Sequence, residues 1–162
     1  MGSAMRRASL VLFVGTMLSA IATFAQPIPQ PPGAPPQKPL RERLLERALK
    51  GDSEAQFDLG KNYEAGRIGL PKDFAQAEHW YRLAAEQGDP FAQASLGILL
   101  GFGKGIPKNE VQALMWYEVA VARSKGGDRD TIVEMRDDLA ARMSPKAVAE
   151  ARQMAQIWVP KK

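Results

Sequence analysis

The sequence predicts an all-α protein, an α-solenoid of antiparallel helix pairs with capping helices at both ends. Three observations carry this. A segment of about 36 residues occurs twice in succession. Within each copy the apolar residues recur at helical spacing, in two runs separated by a glycine- and proline-bearing turn. Further amphipathic stretches flank the two copies, where the open ends of a stack need cover.

The chain opens with Arg6-Arg7, an apolar run from Ala8 to Phe24, and small residues ending at Ala25. This is the order of a secretory signal, so residues 1–25 are expected to direct export and to be cleaved after Ala25. An uncleaved anchor is the other reading, although about 17 apolar residues are at the short limit for spanning a bilayer. Met1 and Met5 are both candidate starts. Residues 26–39, QPIPQPPGAPPQKP, carry too many prolines for helix or central strand, and read as an extended linker. The repeat domain is placed at residues 40–158, and a periplasmic or secreted location follows from the signal.

Leu40 to Lys50, with Leu44, Leu45, Ala48 and Leu49, reads as an amphipathic cap on the first pair. The two copies occupy about residues 51–87 and 88–126. Gly51-Asp52 matches Gly88-Asp89, Ala55-Gln56 matches Ala92-Gln93, and Leu59-Gly60 matches Leu96-Gly97. After Gly66 and Gly103 the register slips by one, because the first copy has an extra residue near Ile68. Pro71-Lys72, Gln76-Ala77, Trp80-Tyr81 and Ala84 then match Pro107-Lys108, Gln112-Ala113, Trp116-Tyr117 and Ala120.

In each copy an aspartate (Asp52, Asp89) or Ser53 opens the first helix, with Pro90 at the first helical position in the second copy. Ala55, Leu59 and Tyr63 share one helical face. Glycines from Gly66 onward end that helix, and Asp73 or Asn109 caps the next, where Ala77, Trp80, Tyr81 and Ala84 share a face. Gly60 and Gly97 stand inside helices at the same phase. A mid-helix glycine costs about 1 kcal/mol relative to alanine, so its recurrence implies that a ring, Trp80 or Tyr81, lies against the bare backbone. Thr131 to Met143, and a helix restarting at Ser144-Pro145 and reaching Trp158, form an expected C-terminal cap over about residues 128–158.

The motif Gly51-Asp52-x-x-Ala55-Gln56-x-x-Leu59-Gly60-x-x-Tyr63, continued through Gly66, Pro71-Lys72-Asp73, Ala77, Trp80-Tyr81 and Ala84-Ala85-Glu86-Gln87-Gly88, resembles the Sel-one-like repeat family, a relative of tetratricopeptide repeats. The resemblance covers about residues 48–126. It implies a right-handed, tetratricopeptide-like superhelix and an adaptor role, with partners held on a concave face. The second copy departs from the pattern at Leu100, Phe102 and Asn109 and at its end, Val121 to Ser124, as an end repeat would.

Chemistry is sparsely represented. The chain has no cysteine and one histidine, His79, which excludes thiolate chemistry and gives no histidine-based metal motif. His79 is expected to be exposed. Gly101-Phe102-Gly103-Lys104-Gly105 lacks the full spacing of a phosphate loop, and the repeat explains its glycines as a turn. Asp137 and Asp138 lie among arginines on a predicted helix, as on a solvated face. No catalytic, cofactor or metal residue is therefore assigned. The net charge of +4 falls to about +2 without Arg6 and Arg7, too little for a nucleic-acid partner.

One apolar feature has no counterpart in the first copy. Phe91, Ile98 and Phe102 replace Glu54, Lys61 and Ala65, on the side of the helix away from Ala92 and Leu96. The expected cover is the C-terminal hairpin; the other reading is a groove for a peptide or partner helix. The sequence thus points to an exported scaffold that binds a protein or peptide partner without a cofactor. An enzyme or accessory factor of cell-wall metabolism is the alternative, and a spacer module is a third reading.

Overall fold

The computed structural model describes residues 38–161. The expected signal segment, residues 1–25, and the linker up to residue 37 lie outside the described residues. Within them all regular structure is helical: α1 (Leu40–Leu49), α2 (Ser53–Ala65), α3 (Phe74–Gln87), α4 (Pro90–Phe102), α5 (Glu110–Arg123), α6 (Gly126–Ala140) and α7 (Pro145–Ile157). The pairs α2/α3 and α4/α5 are the two sequence repeats, joined through α3 packing on α4. Helix α1 covers α2, and α6 and α7 both pack on α5. This is the expected solenoid of helix pairs, with a helical cap at each end.

The helices begin and end where short polar side chains and glycines dictate. Asp52 and Asp89 accept from the amides of Ala55 and Ala92, at 3.1 and 2.8 Å, so each satisfies an orphan donor of its first turn. Asp73, Asn109 and Ser144 cap α3, α5 and α7 in the same way. Gly66 and Gly103 close α2 and α4 with φ of 66° and 65°, a left-handed turn that glycine enters without a Cβ clash. The extra residue of the first copy is absorbed at Ile68, which takes a left-handed φ of 50° while its side chain packs on the α1–α2 cluster.

The notch glycines behave as the sequence implies, and the structure selects the ring. A Cβ on Gly60 would lie 2.5 Å from Cε1 of Tyr81, and one on Gly97 would lie 2.7 Å from Cε1 of Tyr117. Trp80 does not fill the notch: it turns to the other side and packs with Leu44, Ala48, Ala55 and Leu59 under the N-terminal cap. The larger core runs from α3 to α7 and includes Leu96, Leu99, Leu114, Trp116 and Ile132.

A second repeated device emerges from the Ala-Gln identity. The Gln56 amide donates to the carbonyl of Ala48, and the Gln93 amide to that of Ala85, both at 3.0 Å. Each glutamine reaches a carbonyl at the end of the preceding helix, eight residues back, and takes the lone pair left open by the turn bond from Gly51 or Gly88.

The C-terminal hairpin departs from expectation in one respect. Helix α6 starts at Gly126, five residues before Thr131, and ends at Ala140, short of Met143. Gly126 and Gly127 are accommodated because they stand in its first turn, and Asp128 there suits the helix dipole.

Candidate functional site

The α2 and α4 helices meet solvent on one side through a row of aromatic residues. Phe57 of α2 and Phe91 of α4 are the centre, with ring centroids 6.1 Å apart, and Phe57 also lies 5.8 Å from the buried ring of Tyr81. Phe91 is 46% exposed. The Lys61 ammonium sits 5.2 Å from the Phe57 ring. Ile98 is half-buried and packs into the larger core. Phe102, at 65% exposure, stands at the far end of α4 with Lys104 5.7 Å from its ring.

The expected cover is absent from this face. The α6/α7 hairpin packs on α5, and Phe91 and Phe102 stay open to solvent. The three residues singled out from sequence do not form one cluster. Phe91 and Phe102 are eleven residues apart, about 16 Å along a helix, and Ile98 between them belongs half to the core. The partner of Phe91 is Phe57, which a comparison of the second copy with the first at matched positions overlooks: Phe57 aligns with Ala94, so it is an apolar gain of the first copy.

The flank of this aromatic pair is acidic. Burial pushes the Asp89 carboxyl above the usual carboxylate range, the amides of Ala92 and Phe91 that it caps oppose the rise, and the nearby Glu54 and Asp58 charges add to it. Glu64 accepts a 2.8 Å hydrogen bond from the Tyr81 hydroxyl. A carboxyl raised in the folded state is favourable below its unfolded pKa, and that contribution is lost as pH rises through the folded value. Asp89→Asn keeps the cap and removes the charge. Thermal melts should show it gaining on the parent between pH 3 and pH 7, while Asp89→Ala loses about 1 kcal/mol with the cap. A parent that gains on the asparagine variant over that range would contradict this account.

Elsewhere the polar groups are arranged as surface chemistry. A shallow cavity of about 310 Å³ is lined by Glu78, Arg82, Asn109 and Gln112, with Glu78 and Arg82 paired to each other. His79 is exposed and edge-on to Trp80 at 5.2 Å. Asp137 and Asp138 are exposed, and Asp137 pairs with Arg136 at 2.7 Å. The Gly101–Gly105 string forms the end of α4 and the turn after it. Among the described residues no group of three or more His, Cys, Asp or Glu could hold a metal ion, and no helix is long and apolar enough to cross a membrane. What the α2–α4 face offers is an aromatic platform with an acidic margin, suited to holding a complementary surface.

The profile of the Sel1 repeat matches residues 53–89 and 90–124. The chain is 38% identical over 90 residues to the chitin synthase regulator SKT5 of Saccharomyces cerevisiae, covering 55% of this chain and 12% of that protein. A crystal structure of a protective antigen of uropathogenic Escherichia coli strains, displaying an SLR fold, superposes with a TM-score of 0.64 at 32% identity, over 72% of this chain and 24% of that one. A Sel1 repeat protein from Oxalobacter formigenes is 31% identical, with 73% of this chain and 98% of that chain covered and a TM-score of 0.48. The chain thus spans about an eighth of the yeast protein and a quarter of the Escherichia coli one.

Proposed function

This chain belongs to the Sel1 repeat family, and from that premise we propose that it is an exported adaptor that holds a protein or peptide partner on its α2–α4 face. The observation that carries the reading is Phe91, 46% exposed beside the half-buried ring of Phe57, with Phe102 open to solvent at the far end of α4. Large apolar side chains left in solvent beside a packed core mark interaction surfaces, and aromatic anchors dominate affinity where such surfaces close. Rigid helices present the platform, so little ordering entropy is lost on binding.

The test is capture of partners from the exported fraction by the full chain, against Phe91→Asp. Phe91 is half in solvent, so the aspartate variant should keep its helical spectrum and melt within about 0.5 kcal/mol of the parent, as surface changes do. It should lose its specific partner. An unchanged set of captured proteins sinks the assignment of this face. Export has its own check: mass spectrometry of the exported protein should find a mature chain beginning at Gln26. A cell-associated chain retaining residues 1–25 would instead mean an anchor.

A narrower reading draws on the similarity to a chitin synthase regulator: an accessory factor that binds an enzyme of envelope polysaccharide synthesis. It shares the same surface and the same capture test, with a polysaccharide synthase or its subunit as the partner recovered.

A further inference from the structure

Beyond the α2–α4 face, the segment after α7 lies on the fold as an extended peptide lies in a groove. Trp158 leaves the helix with φ −72° and ψ 134°. Its ring meets that of Trp116 edge-on at 5.7 Å, and the Arg123 guanidinium stands 5.0 Å from its centroid. Two residues on, Pro160 passes over Gly88, where a Cβ would come within 3.7 Å of the proline and 3.2 Å of Arg123. The Lys161 amide then donates to the Glu86 carbonyl at 2.7 Å, and its ammonium pairs with the Glu86 carboxylate at 2.8 Å. Aromatic anchor, backbone hydrogen bond and terminal ion pair are the parts of a recognition mode for extended peptides.

The hold is thin. Ile157 and Val159, flanking the anchor, are 75% and 73% exposed, and the lysine of the ion pair is largely in solvent. Exposed pairs of this kind contribute little. The groove also interrupts a repeated contact. In the first copy Gln87 donates to Gln56 Oε1 at 2.7 Å. Its counterpart, Arg123, is turned to Trp158, and the buried Gln93 Oε1 is left with no donor.

We propose that the channel formed by Glu86, Gly88, Trp116 and Arg123 is a docking groove for an extended partner segment of the pattern aromatic–x–Pro–Lys, which residues 158–161 occupy in cis and from which such a partner displaces them. The test uses the full chain carrying Trp158→Ala and Lys161→Ala, with a fluorescent peptide of residues 155–161 as the probe, followed by anisotropy. Binding should saturate and be at least about tenfold tighter than to the unaltered chain, because a tethered segment competes at high effective concentration. A peptide carrying Trp158→Ala should not bind. A folded double variant that ignores the peptide, or takes the alanine peptide equally well, overturns the proposal. Should the double variant fail to fold, Glu86→Lys in the otherwise unaltered chain serves instead: it should prefer a peptide carrying Lys161→Glu about threefold over the native one, and indifference between them overturns the proposal.

Discussion

Gly60→Ala is expected to destabilise the domain by about 1–3 kcal/mol, and to stabilise it by up to about 1 kcal/mol once Tyr81→Ala is present. The sign reversal follows from the notch. With Tyr81 in place the added methyl falls inside the ring's van der Waals boundary, at 2.5 Å from Cε1, and a ring buried to 1% exposure has nowhere to go. With the ring removed, only the ordinary preference of a helix interior for alanine over glycine remains. Tyr81→Ala alone should cost about 3–5 kcal/mol, as other large buried aromatic truncations do. A double-mutant cycle by denaturant unfolding measures the coupling directly. If Gly60→Ala changes stability by the same amount in both backgrounds, ring and glycine are not a fitted pair.

Leu96→Ala should cost about 2–5 kcal/mol and act globally, whereas Leu59→Ala should act locally. Both side chains are essentially fully buried. Leu96 sits in the cluster that joins α3 to α7, so loosening it weakens every later interface. Leu59 sits in the smaller cluster with Leu44, Ala48 and Trp80, beneath a single capping helix. In a stack each unit touches only its neighbours, so its end can open without the rest. Hydrogen exchange separates the cases: Leu59→Ala should speed exchange in α1 and α2 while α4 and α5 keep their protection. Uniform acceleration in both variants would mean a single cooperative block.

The architecture was legible because its determinants repeat. Paired aspartates, paired glycines and paired Trp-Tyr steps each state a local rule twice, and two statements of a rule at one phase outweigh any single propensity. The start of α6 was less legible because Gly126-Gly127 reads locally as a break, yet the helix takes both exposed glycines into its first turn ahead of Asp128. The aromatic face was half legible. Phe91 and Phe102 stand out in the sequence as departures from the first copy, whereas Phe57 reads as an ordinary helix residue and gains its role only from the fold that sets its ring beside Phe91. Which helices the C-terminal hairpin would choose was a question of docking geometry, which periodicity does not encode. The groove under Trp158 was hidden for the same reason, since Glu86 and Lys161 are far apart in the chain.

Gln56 and Gln93 work as dowels. Each reaches backward from one unit into the unit before it and fixes their relative tilt through a single buried link of the same length, 3.0 Å, at both joints. A unit inserted between them would inherit that tilt if it brought its own glutamine eight residues past the corresponding helix-end carbonyl. The C-terminal hairpin brings none: eight residues beyond Val121, the counterpart of Ala85, stands the exposed Arg129. The last joint is therefore undowelled, and it is held by side-chain packing on α5, by the Arg136 and Arg152 pairs to Glu118, and by the Lys161 amide on the Glu86 carbonyl beyond α7. That makes it the joint where the stack can flex without breaking a buried glutamine link.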